Sequence, residues 1–210
     1  MKIFKILSIL LCYPENRLRD AIPAIRDYLG STDTVSALEP LLHDLQNMDL
    51  IELQEDYVQT FDRNPSHSLH LFEHLHGEDR IRGQALSDLL TEYQKEGVTL
   101  SSGELPDYLP LFLEFLALCN LNKAEELLGS AIHIIAHIGR KLKEDNSRYT
   151  CIFRLLEQLS PVEPELMRGA PIRDMDDLIE KIGLMPDGSE PLLPFGNSGN
   201  CTGCPTGAVI

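Results

Sequence analysis

Basic residues are scarce in this chain: 18 Lys and Arg stand against 33 Asp and Glu, a formal net charge of −15 at pH 7. Phosphate backbones and anionic membrane surfaces are held by clustered Lys and Arg, so the deficit excludes nucleic acid and anionic lipid as the main partner. The same acidity keeps the chain in solution and favours a basic partner through long-range attraction. Long apolar runs are missing too, with no segment near the ~20 apolar residues that a membrane span needs. No stretch alternates apolar and polar residues as a half-buried strand does, and no segment repeats another. There is no Gly-rich phosphate loop, no nucleophile elbow, and no Ser/His/Asp or Cys/His set at triad spacing. Cysteines are few and scattered, at Cys12, Cys119, Cys151, Cys201 and Cys204. Three of them sit in apolar helical contexts where a reduced thiol packs well, which points to a reducing cytoplasm.

What is present is helical periodicity. At 210 residues the chain is long enough for one well-buried domain with an appendage. The opening run Met1–Cys12 superficially resembles a signal peptide, but Lys5 interrupts it and Tyr13-Pro14 stands where small cleavage-site residues belong. Ile3, Ile6, Leu7, Leu10 and Leu11 recur as one face of a core helix. Pro14 opens a second helix that Gly30 stops, with Pro23 forcing a kink or restart inside it. Leu41, Leu42, Leu45, Met48, Ile51, Leu53, Tyr57 and Phe61 extend one further helical pattern, which the loop Asp62–His67 breaks. Ser68 caps a short helix carrying Leu69, Phe72 and Leu75 inward and ending at Gly77; a longer one follows through Tyr93 to Gly97. Asp107 is the expected cap of an almost wholly apolar helix, Leu111–Leu118, and Asn122 that of a long helix reaching Leu142. Tyr149–Leu159 forms the last. The expectation is an all-α fold, a single helical bundle of about seven to nine helices over residues 1–160, followed by a proline-rich acidic tail, 161–210, with a short helix near 174–182.

The residues richest in chemistry lie between Tyr57 and Leu86, which hold four of the seven histidines. His70-Leu-Phe-Glu-His74 has the spacing of an inverted zinc-peptidase motif, two imidazoles one helical turn apart with Glu73 to activate water. No third ligand and no cleft is nominated, and core packing of the same helix explains Phe72 and Leu75 equally well. His133 and His137 repeat the spacing on an amphipathic helix, where hydrogen-bonded or surface histidines are the plainer reading. Cys201-Thr-Gly-Cys204 has metal or redox spacing, yet it is a lone pair in a tail. Glu114, a single carboxylate in the most apolar helix, either faces a groove or reaches its rim. What remains is recognition: Tyr57, Phe61, Phe72 and Tyr108 can line an apolar groove rimmed by Asp56, Asp62, Glu73 and Asp107, fit for an amphipathic basic peptide. Core packing is the alternative for each aromatic taken alone.

Five strings together resemble a known family: Leu10-Leu-Cys-Tyr-Pro14, Glu55–Asp62, Ser68–Gly77, Asp79–Ala85 and Glu104–Phe115. Phe-Glu-His-x-His-Gly and Leu-Pro-Asp-Tyr-Leu-Pro are the most specific of them. The family is that of the nitrate reductase molybdenum-cofactor assembly chaperones (NarJ type, the delta subunit), within the TorD-like redox-enzyme maturation chaperones. The resemblance implies an all-helical, cytoplasmic protein that is not an enzyme and carries no cofactor or metal of its own. It implies binding of the N-terminal, twin-arginine-like peptide of a nitrate reductase catalytic (alpha) subunit until the molybdenum cofactor is inserted and the enzyme attaches to the membrane. Carried over by motif, Tyr57, Phe61, Asp62, Phe72, Glu73, His74, His76, Gly77, Arg80, Asp107 and Tyr108 form or support the peptide groove, with Glu114 added from the residue reading. The tail lies outside the shared pattern. Three readings therefore stand: this chaperone, or its counterpart for another molybdoenzyme, as a monomer or weak homodimer; a metal-dependent hydrolase using His70, Glu73 and His74; or a helical scaffold without a defined ligand.

Overall fold

Apolar residues three and four apart generate nine α-helices among the described residues, which in this computed structural model are 2–30, 33–76, 80–100 and 103–166. The helices are α1 (Lys2–Leu10), α2 (Asn16–Leu29), α3 (Asp33–Asn47), α4 (Leu50–Tyr57), α5 (Glu73–His76), α6 (Arg80–Lys95), α7 (Leu109–Leu118), α8 (Leu121–Glu144) and α9 (Thr150–Leu159). The fold is all-α, as the periodicity requires. The expected tail helix near 174–182 and the Cys201/Cys204 pair lie outside the described residues, and so does Gly77.

The centre is α7, whose sequence is apolar on nearly every side. Leu109, Phe112, Leu113, Phe115 and Leu116 are all buried, and α1 lies along this helix with Phe4, Leu7, Leu10 and Leu11 inward. Each Leu or Phe so removed from water contributes about 2 kcal/mol. Around that pair, α8 packs on α7 and α9, α2 on α3, and α3 on α9. The α8–α9 contact needs Gly139, because a Cβ there would stand 2.8 Å from Phe153 Cβ.

Local chemistry sets most of the ends. Gly30 closes α2 at φ 64°, a left-handed conformation that favours glycine, and its N–H donates to the Arg26 carbonyl. Elsewhere the helices depart from the sequence expectation. The pattern from Leu41 to Phe61 is broken at Asp49, whose carboxylate accepts from the Ile51 amide at 2.9 Å and starts α4 afresh. Asn120, not Asn122, caps α8 by accepting from the Lys123 amide at 3.0 Å. Pro23 lies within the single span of α2 rather than restarting it.

The end of α4 positions the site. Val58–Asp62 continues the helix as a π turn, closed by a hydrogen bond from the Arg63 amide to the Val58 carbonyl at 3.0 Å. The extra residue per turn shifts the register, and Tyr57 and Phe61 both enter the core. A 3₁₀ turn, Pro65–His67, follows, capped by the Asn64 side chain on the Ser66 amide.

Candidate functional site

Two stretches distant in sequence, 68–74 and 105–109, meet directly. His70 and Tyr108 form an isolated antiparallel bridge. The Leu109 amide donates to the Leu69 carbonyl at 2.8 Å and the Leu71 amide to the Asp107 carbonyl at 3.1 Å. Asp107, 0% exposed, is the peg of this junction. Its Oδ2 accepts from the Phe72 amide at 3.0 Å, and its Oδ1 lies 3.4 Å from His70 Nδ1. It is neither the cap of α7 nor a rim residue, both of which the sequence suggested: Tyr108 holds the cap position without a side-chain bond. The physical reason is that the Ser68–Phe72 chain leaves an amide unpaired beside it, and a buried carboxylate is stabilised by that donor more than by a half-exposed helix end.

Ser68 does not cap a helix through Leu69 and Phe72 either. Its hydroxyl donates to Glu73 Oε2 and accepts from the His70 amide, so Leu69–Phe72 is a turn and α5 begins only at Glu73. This removes the geometry of the zinc-peptidase reading, which needs His70 and His74 on one helix. The groups concerned are also committed elsewhere. His74 Nε2 lies 2.8 Å from the Ser68 carbonyl, and Glu73 Oε1 accepts from Arg82 at 3.1 Å. Among the described residues no three His, Cys, Asp or Glu side chains are grouped as a metal would require.

Behind the junction, Tyr57 donates to the Leu11 carbonyl at 2.9 Å and meets the Tyr108 hydroxyl at 3.3 Å. Its ring packs on Phe61 at 5.0 Å, and Phe61 on Tyr149 at 4.8 Å. Burial pushes the Tyr57 phenol far above its ordinary range, so it stays a donor. Tyr57, Phe61 and His74 are buried, and the expected aromatic groove is therefore lined on its outer side only by Phe72 and Tyr108, both half-buried, with Glu73 half-buried and Asp62 exposed beside them. Glu114 does reach the surface, in an ion pair with Lys5. His76 and Arg80 lie in the α5 and α6 backbones, and their side chains are outside the described set.

Hydrogen bonding to Asp107 raises the pKa of His70 above its ordinary value, against the opposing effect of burial. His137, whose ring stands 6.0 Å from that of His74, is shifted down by its own burial, with Arg140 adding to the effect.

A feature the motifs did not signal is the outer face of α4. Ile51 is 66% exposed and Tyr13 44%, and with Glu55, Asp56 and Gln59 they border an open depression of about 700 Å³. The sequence counted Ile51 in one apolar pattern with Leu53 and Tyr57; because α4 starts afresh at Asp49, Ile51 instead falls off the face that buries those two.

This core, with its junction at Asp107, matches the nitrate reductase delta subunit model across residues 15–153. The chain belongs to that family. It is 41% identical over 162 residues to the nitrate reductase molybdenum cofactor assembly chaperone NarJ of Escherichia coli K12, covering 74% of this chain and 68% of that one. The probable chaperone NarW of the same organism is 39% identical over 164 residues, 76% and 68% of the two chains. The probable NarJ of Bacillus subtilis is 30% identical over 156 residues, covering 73% and 85%. The family resemblance read from the five strings is thus upheld, and the match extends well past them, to the start of α9.

Proposed function

We propose that this protein is an assembly chaperone of a nitrate reductase: it binds the N-terminal, twin-arginine-like peptide of the catalytic subunit in the cytoplasm and holds that subunit until the molybdenum cofactor, the client's cargo, is inserted. The observation that carries this reading is the likeness to NarJ and NarW over about three quarters of the chain. The net charge of −15 supports it, since an acidic surface attracts a basic peptide. So does the presence of half-buried Phe72 and Tyr108 beside Glu73 and Asp62, apolar anchors next to carboxylates. In this reading Tyr57, Phe61, His74 and Asp107 support the surface from behind. His76, Gly77, Arg80 and Glu114 belong to the same recognition region. No helix among the described residues is long and apolar enough to cross a membrane. The protein performs no catalysis in this role.

Calorimetric titration of the full chain with the client's N-terminal peptide tests the proposal. Saturable binding at micromolar concentrations, weakened by Tyr108→Ala and by Glu73→Gln, is the expected result. Failure to bind at low salt, with the chain folded by circular dichroism, would overturn it.

A further inference from the structure

Three carboxylates, Asp44 of α3, Asp56 of α4 and Asp145 after α8, border a polar depression of about 460 Å³ between the 3₁₀ turn and the α8–α9 connection. Arg148 is the only Lys or Arg among the residues lining it. Its guanidinium already satisfies one end, donating to Asp44 at 2.8 Å and to Asp56 at 3.0 Å. The other end is short of donors. His67, whose side chain is 3% exposed, holds Nδ1 3.1 Å from the Thr60 carbonyl. A carbonyl can only accept, so Nδ1 carries the hydrogen and Nε2 of the neutral ring is a lone pair. That lone pair faces Asp145 Oδ2 at 3.2 Å, off the line a hydrogen bond needs, and has no hydrogen-bond partner. Asp145 itself is 58% exposed and receives one weak bond, from the Asn64 amide at 3.4 Å.

Two acceptors thus confront one another at hydrogen-bonding distance, and one belongs to a carboxylate that is 58% exposed. Such a pair is stabilised by a cation that donates along two directions at once. A guanidinium does this, with N–H groups fixed in a planar fork that matches paired acceptors; an ammonium presents a point charge instead. Arg148, lining the same depression, illustrates the same preference by bridging two carboxylates with one head group.

We propose that the depression at His67 and Asp145 is an arginine-side-chain pocket, filled by an arginine of the client polypeptide. The proposal rests on the assembly-chaperone reading for the source of that arginine. Neither His67 nor Asp145 takes part in the Asp107 junction or falls in any of the five motif strings.

The test is a titration of the full chain with Nα-acetyl-arginine amide, followed by NMR at the His67 imidazole and the Asn64 side-chain amide. Its counterparts are the citrulline amide, equal in shape but uncharged, and the lysine amide. Saturable shifts at both groups with the arginine compound are expected, at least about five-fold weaker with lysine and absent with citrulline, following the bidentate preference of the guanidinium. Asp145→Asn weakens arginine binding by about five-fold or more while leaving the melting temperature in place, because Asp145 is itself 58% exposed and its one hydrogen bond is weak. Three results would overturn the pocket: a doubly protonated His67 at about pH 7.5 without ligand, which would mean that a proton already closes the pair; arginine shifts spread over the acidic surface and unchanged in Asp145→Asn; or equal response to citrulline. Since the probe is a single amino acid, these outcomes are independent of whether the client peptide binds.

Discussion

Two imidazole–carboxylate pairs, built from the same residue types, have opposite constructions. At His70–Asp107 the acid is wholly buried and the base half-exposed; at His67–Asp145 the base is buried and the acid exposed. A buried carboxylate is costly to strip of water, so it persists only where fixed donors surround it, and Asp107 has the Phe72 amide and His70. It therefore acts as architecture, fastening the start of α7 to the turn before α5. An imidazole, unlike a carboxylate, can be buried without carrying a charge, which costs far less. Its exposed partner keeps most of its water and is free to exchange one contact for another. The difference separates a joint from a receptor: what is buried and saturated holds the chain, and what is exposed and unsaturated is open to a ligand.

Breaking the joint should have the largest effect. Asp107→Ala orphans the Phe72 amide in a buried setting, and we expect a loss of about 3 kcal/mol in urea unfolding, against about 1 kcal/mol for Asp107→Asn, which keeps an acceptor. Equal losses for the two would show that packing, not the carboxylate bond, fastens the junction. Removal of the cation at the far end of the polar depression comes next. Arg148→Met frees Asp44 and Asp56, both more than a third exposed, so a loss of about 1 kcal/mol is expected, measured the same way.

A smaller effect distinguishes the two histidines by pH. Asp107 raises the folded-state pKa of His70 above the unfolded value of about 6.5, with Glu73 adding to the effect and Arg82 opposing it. The contribution is thus fully present below about pH 6.5 and is lost as pH rises through the raised value. His137, shifted down, works the other way: as pH falls below about 6.5 its protonation favours the unfolded chain. Melting temperatures of wild type and His70→Gln should differ most below about pH 6.5 and converge only above the raised folded-state value. A gap that widens with rising pH would reverse the assignment. The smallest stability change belongs to Asp145→Asn, within about 0.5 kcal/mol, because the carboxylate is mostly in solvent and receives one weak bond.

The sequence legible at a glance was the apolar one. Periodic Leu and Ile residues announced α1, α2, α7 and α9 because burying one face of a helix is a local requirement written at fixed spacing. Glycine at Gly30 was equally readable, since the left-handed turn needs it. Capping residues were harder. Asp107 and Asn122 have the right chemistry for a cap, and Asp49 and Asn120 won the role because of where the chain turns, which neighbours in space decide. The motifs pointed to two stretches that the fold does bring together, 68–74 and 105–109, but suggested the wrong depth for Tyr57 and Asp107. A π turn at Val58–Asp62 rotates the aromatics inward, and nothing in Tyr-Val-Gln-Thr-Phe-Asp specifies that extra residue. His67 and Asp145 were passed over because each is an unremarkable loop residue until the fold sets them 3.2 Å apart.

By itself the sequence determined the helical class, the acidic character and the family, because periodicity, net charge and motif order are all one-dimensional quantities. Only the tertiary structure decided that 68–74 and 105–109 are laced edge to edge, that Asp107 is a buried peg, and that His67 lacks a donor. Hydrogen bonding over tens of residues depends on which amide arrives beside which carboxylate, and that is settled by packing around α7 and α1, not by spacing along the chain.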